Sequence, residues 1–285
     1  MRNLISNGIK KLVNSGPQYA RGNRAGRVIS IATVKGGVGK TTTAVNLASG
    51  LAEFEDARVL LVDLDAQGHC ASSLSDYRVD ASGAEPLSEV LLDEEGKQVL
   101  DSVTSTGIDG LDITPADPDL AEAEGRIAQK IGKELRLRDS LEISRTHYDY
   151  VIVDCPPNKG NLTINGLIAA DRVIIPTDLS PLSVQGADEL MGTVLQVNER
   201  LDHDLDVLGV LLTRVDKRTS SVNDDVLETI DEAWGELLLD TQIGINSQLK
   251  KAQIAGQPIY EYAPKSRGAE HYRALTGEVA KLLRQ

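Results

Sequence analysis

Residues 28–43, VISIATVKGGVGKTTT, decide the fold. Val28–Ala32 is a short, near-continuous apolar run, the pattern of a strand buried on both faces. Gly36, Gly37 and Gly39 follow at once. After them the spacing predicts a helix over about 41–54, with Val45, Leu47, Ala48, Leu51 and Ala52 on its core side. A strand, a glycine turn and a helix in direct succession aim backbone N–H groups and the positive end of a helix at one point. That is a cradle for phosphate. Lys40 can reach the outer phosphates, and the Thr41 hydroxyl is placed for Mg²⁺. The loop departs from the usual pattern in two ways: Val34 stands where a glycine is normal, and Lys35 adds a second lysine five residues before the first.

Outward from this run, further strands are expected at 59–63, 150–154, 172–176 and 207–213. Helical patterns lie around 118–144, 161–170, 182–200, 221–236 and 268–283. Strands alternating with helices predict an α/β fold, a doubly wound and mostly parallel sheet with helices on both faces. Hydrophobic residues make up 41% of the chain and aromatics only 3%, which suits a Val/Ile/Leu/Ala core of that kind. In such sheets ligands bind beyond the carboxyl ends of the strands. There the chain places the glycine loop, Asp63 and Asp154. Asp154 is followed by Cys155-Pro156-Pro157 and is positioned to hold Mg²⁺ beside Thr41. Asp63 and Asp65, two apart on extended chain, are expected on one side, one supporting the metal and the other orienting an attacking water.

Charge is uneven. The net value is −13, but the first 27 residues carry six basic residues (Arg2, Lys10, Lys11, Arg21, Arg24, Arg27) and no acid. Much of the acid lies between Glu53 and Glu124. The segment after Ile245 turns basic again. Within residues 1–27, Leu4, Ile5, Ile9, Leu12 and Val13 fall near helical spacing, Asn14-Ser15-Gly16-Pro17 ends any helix, and 18–26 read as a linker. The expected division is a basic N-terminal extension, 1–27, and a domain built around the phosphate loop, 28–285. No apolar run approaches the ~20 residues of a membrane span, and no secretory leader is evident. The two cysteines, Cys70 and Cys155, are expected as reduced thiols. A cytoplasmic location follows as the expectation.

Three ordered stretches carry a resemblance: Lys35-Gly36-Gly37-Val38-Gly39-Lys40-Thr41-Thr42, Asp63-Leu64-Asp65-Ala66-Gln67-Gly68 and Val153-Asp154-Cys155-Pro156-Pro157. Together with Gly209–Thr219 and Tyr262–Leu275 they resemble the ParA/MinD family of deviant Walker A ATPases, on its ParA side, from about Val28 to the end. The resemblance implies ATP and Mg²⁺ as cofactors and a homodimer formed on ATP binding. In that dimer Lys35 reaches the nucleotide of the other subunit, which is what a second lysine in the loop would be for. It implies Lys35, Lys40 and Asp65 as catalytic residues, with Asp65 positioning water. Residues 35–42 with Thr213 and Arg214 form the nucleotide set; Thr41, Asp63 and Asp154 are the metal set.

It also implies non-specific binding to double-stranded DNA, association with the nucleoid, and a ParB-like or other adaptor that stimulates hydrolysis while a chromosome, plasmid or protein assembly is positioned. Many relatives carry two arginines where this chain has Gly244-Ile245-Asn246-Ser247-Gln248. Candidate DNA contacts are therefore Lys217, Arg218, Lys250, Lys251, Lys265, Arg267 and Arg273. Two other classes compete: a membrane- or scaffold-linked regulator acting through residues 1–13, and a metabolic ligase on the same fold. The chain stops directly after the expected last helix, which argues against a MinD-type C-terminal tether.

Overall fold

A computed structural model describes residues 19–77, 81–216 and 220–284, with the backbone alone over 220–225. The apolar stripe of residues 4–13, and Lys217 and Arg218, lie outside the described residues.

The chain opens with β1 (Arg27–Ile31), the glycine loop and α1 (Lys40–Glu55), then β2 (Val59–Asp63). Two short helices, α2 (His69–Ser72) and α3 (Leu87–Leu92), precede β3 (Thr104–Ser105) and β4 (Leu111–Ile113). Helices α4 (Leu120–Ile127) and α5 (Arg136–Ser140) lead to β5 (Tyr150–Asp154). Then come α6 (Asn161–Ala169), β6 (Arg172–Thr177), α7 (Pro181–Leu201), β7 (Asp206–Leu212) and α8 (Ser220–Trp234). The chain closes with α9 (Ser247–Ala255), α10 (Ile259–Tyr262) and α11 (Arg267–Leu283).

The seven described strands form one sheet in the order β3-β4-β2-β5-β1-β6-β7. Every pairing is parallel except the β3–β4 edge. The doubly wound α/β fold read from the alternation of strands and helices is the fold observed. Side-chain alternation along each strand divides the core in two. Leu60, Val62, Val151 and Val153 join one cluster, with α3 to α8. Val59, Leu61, Ile29, Ile31 and Ile152 join the other, with α1 and α11. The same parity fixes the site: Asp63 continues the 59–61 face and Asp154 the 152 face, so both carboxylates lie on the side where α1 packs.

Three expectations change. The helical pattern over 118–144 divides into α4 and α5, because the chain turns between them and Gly132 takes a left-handed φ of 66°. β3 and β4, α9 and the short helices go beyond the elements expected. Residues 19–26 do not behave as a free linker. Gly22 N–H donates to Thr146 Oγ1, Gly26 N–H to the Arg145 carbonyl, Arg24 pairs with Asp149 and Tyr19 with Asp101. A Cβ on Gly22 would stand 2.0 Å from the Thr146 carbonyl, so the close approach needs glycine there.

Candidate functional site

The glycine loop runs from β1 into α1 with Gly37 at φ 81° and Gly39 at φ 89°, conformations open to glycine and strained for other residues. Gly39 is also the N-cap of α1, so the helix begins with free N–H groups facing the loop. Lys40 is 7% exposed. Its Nζ lies 3.4 Å from the Lys35 carbonyl, and burial lowers its pKa against the pull of Asp154. A cation desolvated this way is poised for an anion delivered into the loop.

The strand register brings the carboxylates together. β5 sits between β1 and β2, and Asp154 is opposite both Ile31 and Asp63. Thr41 Oγ1 donates to Asp154 Oδ2 at 2.6 Å, and Cys70 Sγ–H points at the same oxygen at 3.4 Å. Asp154 Oδ1 is buried and has no hydrogen-bond partner among the described residues. Asp63 accepts N–H from Asp65 at Oδ1 and from Cys70 at Oδ2, both at 3.0 Å. Burial first, then mutual repulsion, raises the pKa of Asp63. Burial raises that of Asp154 too, against its bonds from Thr41 and the charge of Lys40. Two such carboxylates, a hydroxyl and an orphaned oxygen are a hard-donor set that fits a divalent cation.

Asp63 and Asp65 do not share one run of extended chain, although the Asp65 N–H reaches Asp63. The strand ends at Asp63, which is 1% exposed, and the chain turns so that Asp65 is half-buried, its Oδ1 capping the Gln67 N–H at 3.1 Å. Asp63 belongs to the floor of the site and Asp65 to its rim.

Lys35 is also at the rim. Its Nζ donates to Ser180 Oγ and Ser183 Oγ, each at 2.8 Å, and stands 3.7 Å from Asp178. Ser183 in turn donates to Asp178 at 2.6 Å. Burial opposes ionisation of Asp178, but its hydroxyl bonds and the Lys35 charge hold its pKa below the usual value. The motifs do not reach these three partners. Their one local signal is a strand end followed by Ser180-Pro181, a helix N-cap and N1 pair.

Thr213 and Arg214 close the other side. Thr213 Oγ1 donates to the Val38 carbonyl at 2.8 Å, and Arg214, at a left-handed φ of 54°, reaches the Gly37 carbonyl at 3.0 Å. Beside them opens a cavity of about 500 Å³, walled by Thr42, Ile243, Asn246, Leu249 and Lys250. Gly244–Ser247, read from the sequence against a basic stretch of relatives, lines this cavity instead. A larger cavity of about 990 Å³ lies at the opposite ends of the strands. It is walled by Glu53, Asp56, Asp109, Asp112 and Glu261 against two arginines, a balance that repels phosphate.

Lys250, Lys251, Lys265 and Arg267 are exposed on or just before α9 and α11. Arg273 is exposed but stacked, its guanidinium 4.7 Å from the Phe54 ring centre. No helix among the described residues is long and apolar enough to cross a membrane.

The chain resembles known proteins along most of its length. A family model described as an AAA domain matches residues 26–207. The sporulation initiation inhibitor protein Soj of Bacillus subtilis is 41% identical over 255 residues, 90% of this chain and 98% of Soj. The chromosome partitioning protein ParA of Myxococcus xanthus is 39% identical over 267 residues, 92% of each chain. Among solved structures, cobyrinic acid a,c-diamide synthase from Mycobacterium smegmatis, with bound ATP analogue and magnesium, superposes with a TM-score of 0.75 at 33% identity. That match covers 91% of this chain and 96% of the other.

Proposed function

The chain belongs to the ParA/MinD family of P-loop ATPases, hydrolyses ATP with Mg²⁺ and is of the ParA positioning type; from that premise we propose that it is a dimerisation switch that holds DNA while ATP is bound. In this reading residues 28–285 are the ATPase domain and 1–27 an extension anchored to it through residues 19–26.

The phosphates lie in the 35–42 loop, with Lys40 on the outer phosphates and the base in the cavity beside Thr213 and Arg214. Thr41 and Asp154 hold Mg²⁺, and Asp63 supports it from the neighbouring strand. The orphaned Asp154 Oδ1 is the observation that makes this fit. The cation's contribution when bound is to neutralise charge on the transferring phosphoryl group. Asp65, on the rim, accepts a hydrogen bond from the attacking water and fixes its line of approach. Lys35 completes the charge balance in the partner subunit's site.

The observation that carries the switch is the position of Lys35. It belongs to the phosphate loop, yet its ammonium rests on Ser180 and Ser183 at the rim, while Lys40 is the buried one of the two lysines. A lysine so placed leaves its own site short of one cation, and a second copy can supply it. ATP then joins two subunits and hydrolysis releases them. Lys250, Lys251, Lys265 and Arg267 form the surface we assign to the DNA backbone, with Lys217 and Arg218 as further candidates. Arg273 is the weakest candidate, because its charge is already engaged by Phe54. Such binding is sequence-independent and salt-sensitive. It would make the protein a cytoplasmic, nucleoid-associated one, with a ParB-like or other adaptor stimulating turnover and selecting the cargo. Residues 1–13 remain a candidate contact for a partner or membrane.

The test is binding of random-sequence duplex DNA with ATP or ADP at two salt concentrations, using Asp65→Ala to slow turnover. Binding that requires ATP and weakens with salt is expected. No binding in either state, with ATP-dependent dimers intact, would exclude DNA and favour a membrane or protein scaffold. ATP turnover that depends on a small-molecule acid and an amide donor would instead favour the metabolic class to which the M. smegmatis enzyme belongs.

A further inference from the structure

We propose that Asp63, Cys70 and Asp154 form a binding site for a zinc-class divalent cation, separate in its chemistry from the magnesium mode of the same floor. The ligand atoms of these three side chains lie within 4.8 Å of one another, and all three residues are buried. Cys70 Sγ is 3.4 Å from Asp154 Oδ2. A tetrahedral site with metal–sulfur and metal–oxygen bonds of about 2.3 and 2.0 Å has a ligand-to-ligand edge of about 3.5 Å, so this edge is already formed. The longer separations, none above 4.8 Å, need to contract by about 1.5 Å at most.

A second observation, shared with the magnesium reading, points to a cation on this floor. Asp154 is 1% exposed, yet its Oδ1 has no partner among the described residues. Two neighbouring buried carboxylates with an orphaned oxygen are costly without a cation. Magnesium would answer that cost through oxygen donors alone and gains nothing from sulfur. Thiolate ligation favours zinc and cobalt instead, and these also stand above magnesium's class in intrinsic affinity for mixed donor sets.

The backbone supports this use. Gly68, at φ 62°, turns the chain after Asp65 so that α2 begins at His69 and brings Cys70 back over the strand end. The Cys70 N–H is donated to Asp63 at 3.0 Å, which ties the two ligands together. Cys155, the other thiol, joins the core on the opposite face of the sheet and takes no part.

Binding is a ligand exchange without redox change. The S–H proton leaves to solvent as the sulfur–metal bond forms, two carboxylates complete the protein ligands, and a fourth position is left for solvent oxygen or Thr41. Three protein ligands with one open position is the pattern of zinc sites that exchange their fourth ligand. A cation held there occupies Asp154, the acceptor of Thr41, and so competes with the magnesium-nucleotide complex. Zinc-class cations are therefore inhibitors of this ATPase that act through a thiol.

The probe is Co²⁺, titrated into the full-length, tag-free, nucleotide-free chain with both thiols reduced. One equivalent should produce the near-ultraviolet sulfur-to-cobalt charge-transfer band, and Zn²⁺ should displace it. Cys70→Ala should abolish the band and weaken cobalt binding at least ~10- to 100-fold, the range lost when even an outer partner of a metal ligand is removed. Cys155→Ala should keep the band. Cys70→Ser, which keeps the shape, serves if the alanine variant does not fold. Absence of the band in the wild-type chain at saturating Co²⁺, or its persistence in either Cys70 variant, overturns the proposal. Thr41→Ala separates this from the magnesium reading: it should weaken Mg²⁺-nucleotide binding and leave the cobalt band in place.

Discussion

The floor of the site and its rim are built on opposite rules. On the floor, Lys40, Asp63, Cys70 and Asp154 are nearly or wholly buried, and their charges are set by desolvation and by one another. On the rim, Lys35, Asp65 and Arg214 retain access to solvent, and hydroxyls and backbone groups hold them. A buried group can serve only what enters its own pocket. A rim group held by a few hydrogen bonds can turn outward at modest cost. The buried groups are thus confined to one pocket, while the rim groups remain reachable from outside.

The contrast between floor and rim is most exposed at its largest effect. Lys40→Ala should reduce turnover by ~10²–10³-fold, the usual range for removing one electrostatic donor, and weaken ATP binding with it. Asp65→Ala should cost a similar ~10²-fold or more in turnover yet leave ATP binding in place. Phosphate release and nucleotide titration on both variants measure this. Equal loss of ATP binding in the two would erase the distinction between floor and rim.

A mixing experiment defines the rim's role more closely. Lys35→Ala and Asp65→Ala chains are each expected to be slow alone. In a mixed dimer, one site has an intact Asp65 and receives Lys35 from its partner. Random pairing should therefore restore about a quarter of wild-type turnover if the lysine acts across a two-fold interface. No recovery on mixing would place Lys35 in its own subunit's chemistry.

A smaller effect is expected from the rim contact itself. Asp178→Asn removes the charge 3.7 Å from Lys35, in a pair whose side chains are 30% and 19% exposed. Partly exposed pairs contribute ~0.2–1 kcal/mol, so ATP-dependent dimerisation should shift to lower ATP by no more than about fivefold. Sedimentation against ATP concentration reads it, and an unchanged midpoint would mean that the contact does not restrain Lys35.

The smallest effect is one of pH. The folded-state pKa values of Asp63 and Asp154 lie above that of an unfolded aspartate, about 3.9. Their folded forms hold protons longer than the unfolded chain does, so stability is full below that value and falls as pH rises through the folded pKa values. A bound cation removes this cost. The gap in Tm between the Mg²⁺-nucleotide complex and the apo chain should widen from pH 5 to pH 8; a constant gap would mean that the two carboxylates are relieved some other way.

Much of the fold and the floor of the site is legible in the amino-acid sequence. Strands 59–63 and 150–154 are expected there with the bounds observed, because an apolar run closed by a charged residue is a local signal. The glycine loop, Lys40, Thr41 and the two strand-end aspartates come from short contiguous motifs. β3 and β4, of two and three residues, are too short to show any period. The 118–144 pattern reads as continuous because apolar spacing survives a turn that one glycine's φ permits.

Sequence alone is enough for the α/β class, the phosphate loop and the residue types that gather at the carboxyl edge of the sheet. Each of these rests on periodicity or on spacing within a few residues. Which of those residues touch is a matter of three-dimensional assembly. Asp154 meets Thr41 across 113 positions because β5 lies between β1 and β2, and Lys35 meets Ser180 across 145 because β6 pairs with β1. The same assembly brings Cys70 within 3.4 Å of Asp154. Strand order and the turns beyond the strands are set by packing of the whole chain, so no local pattern carries them.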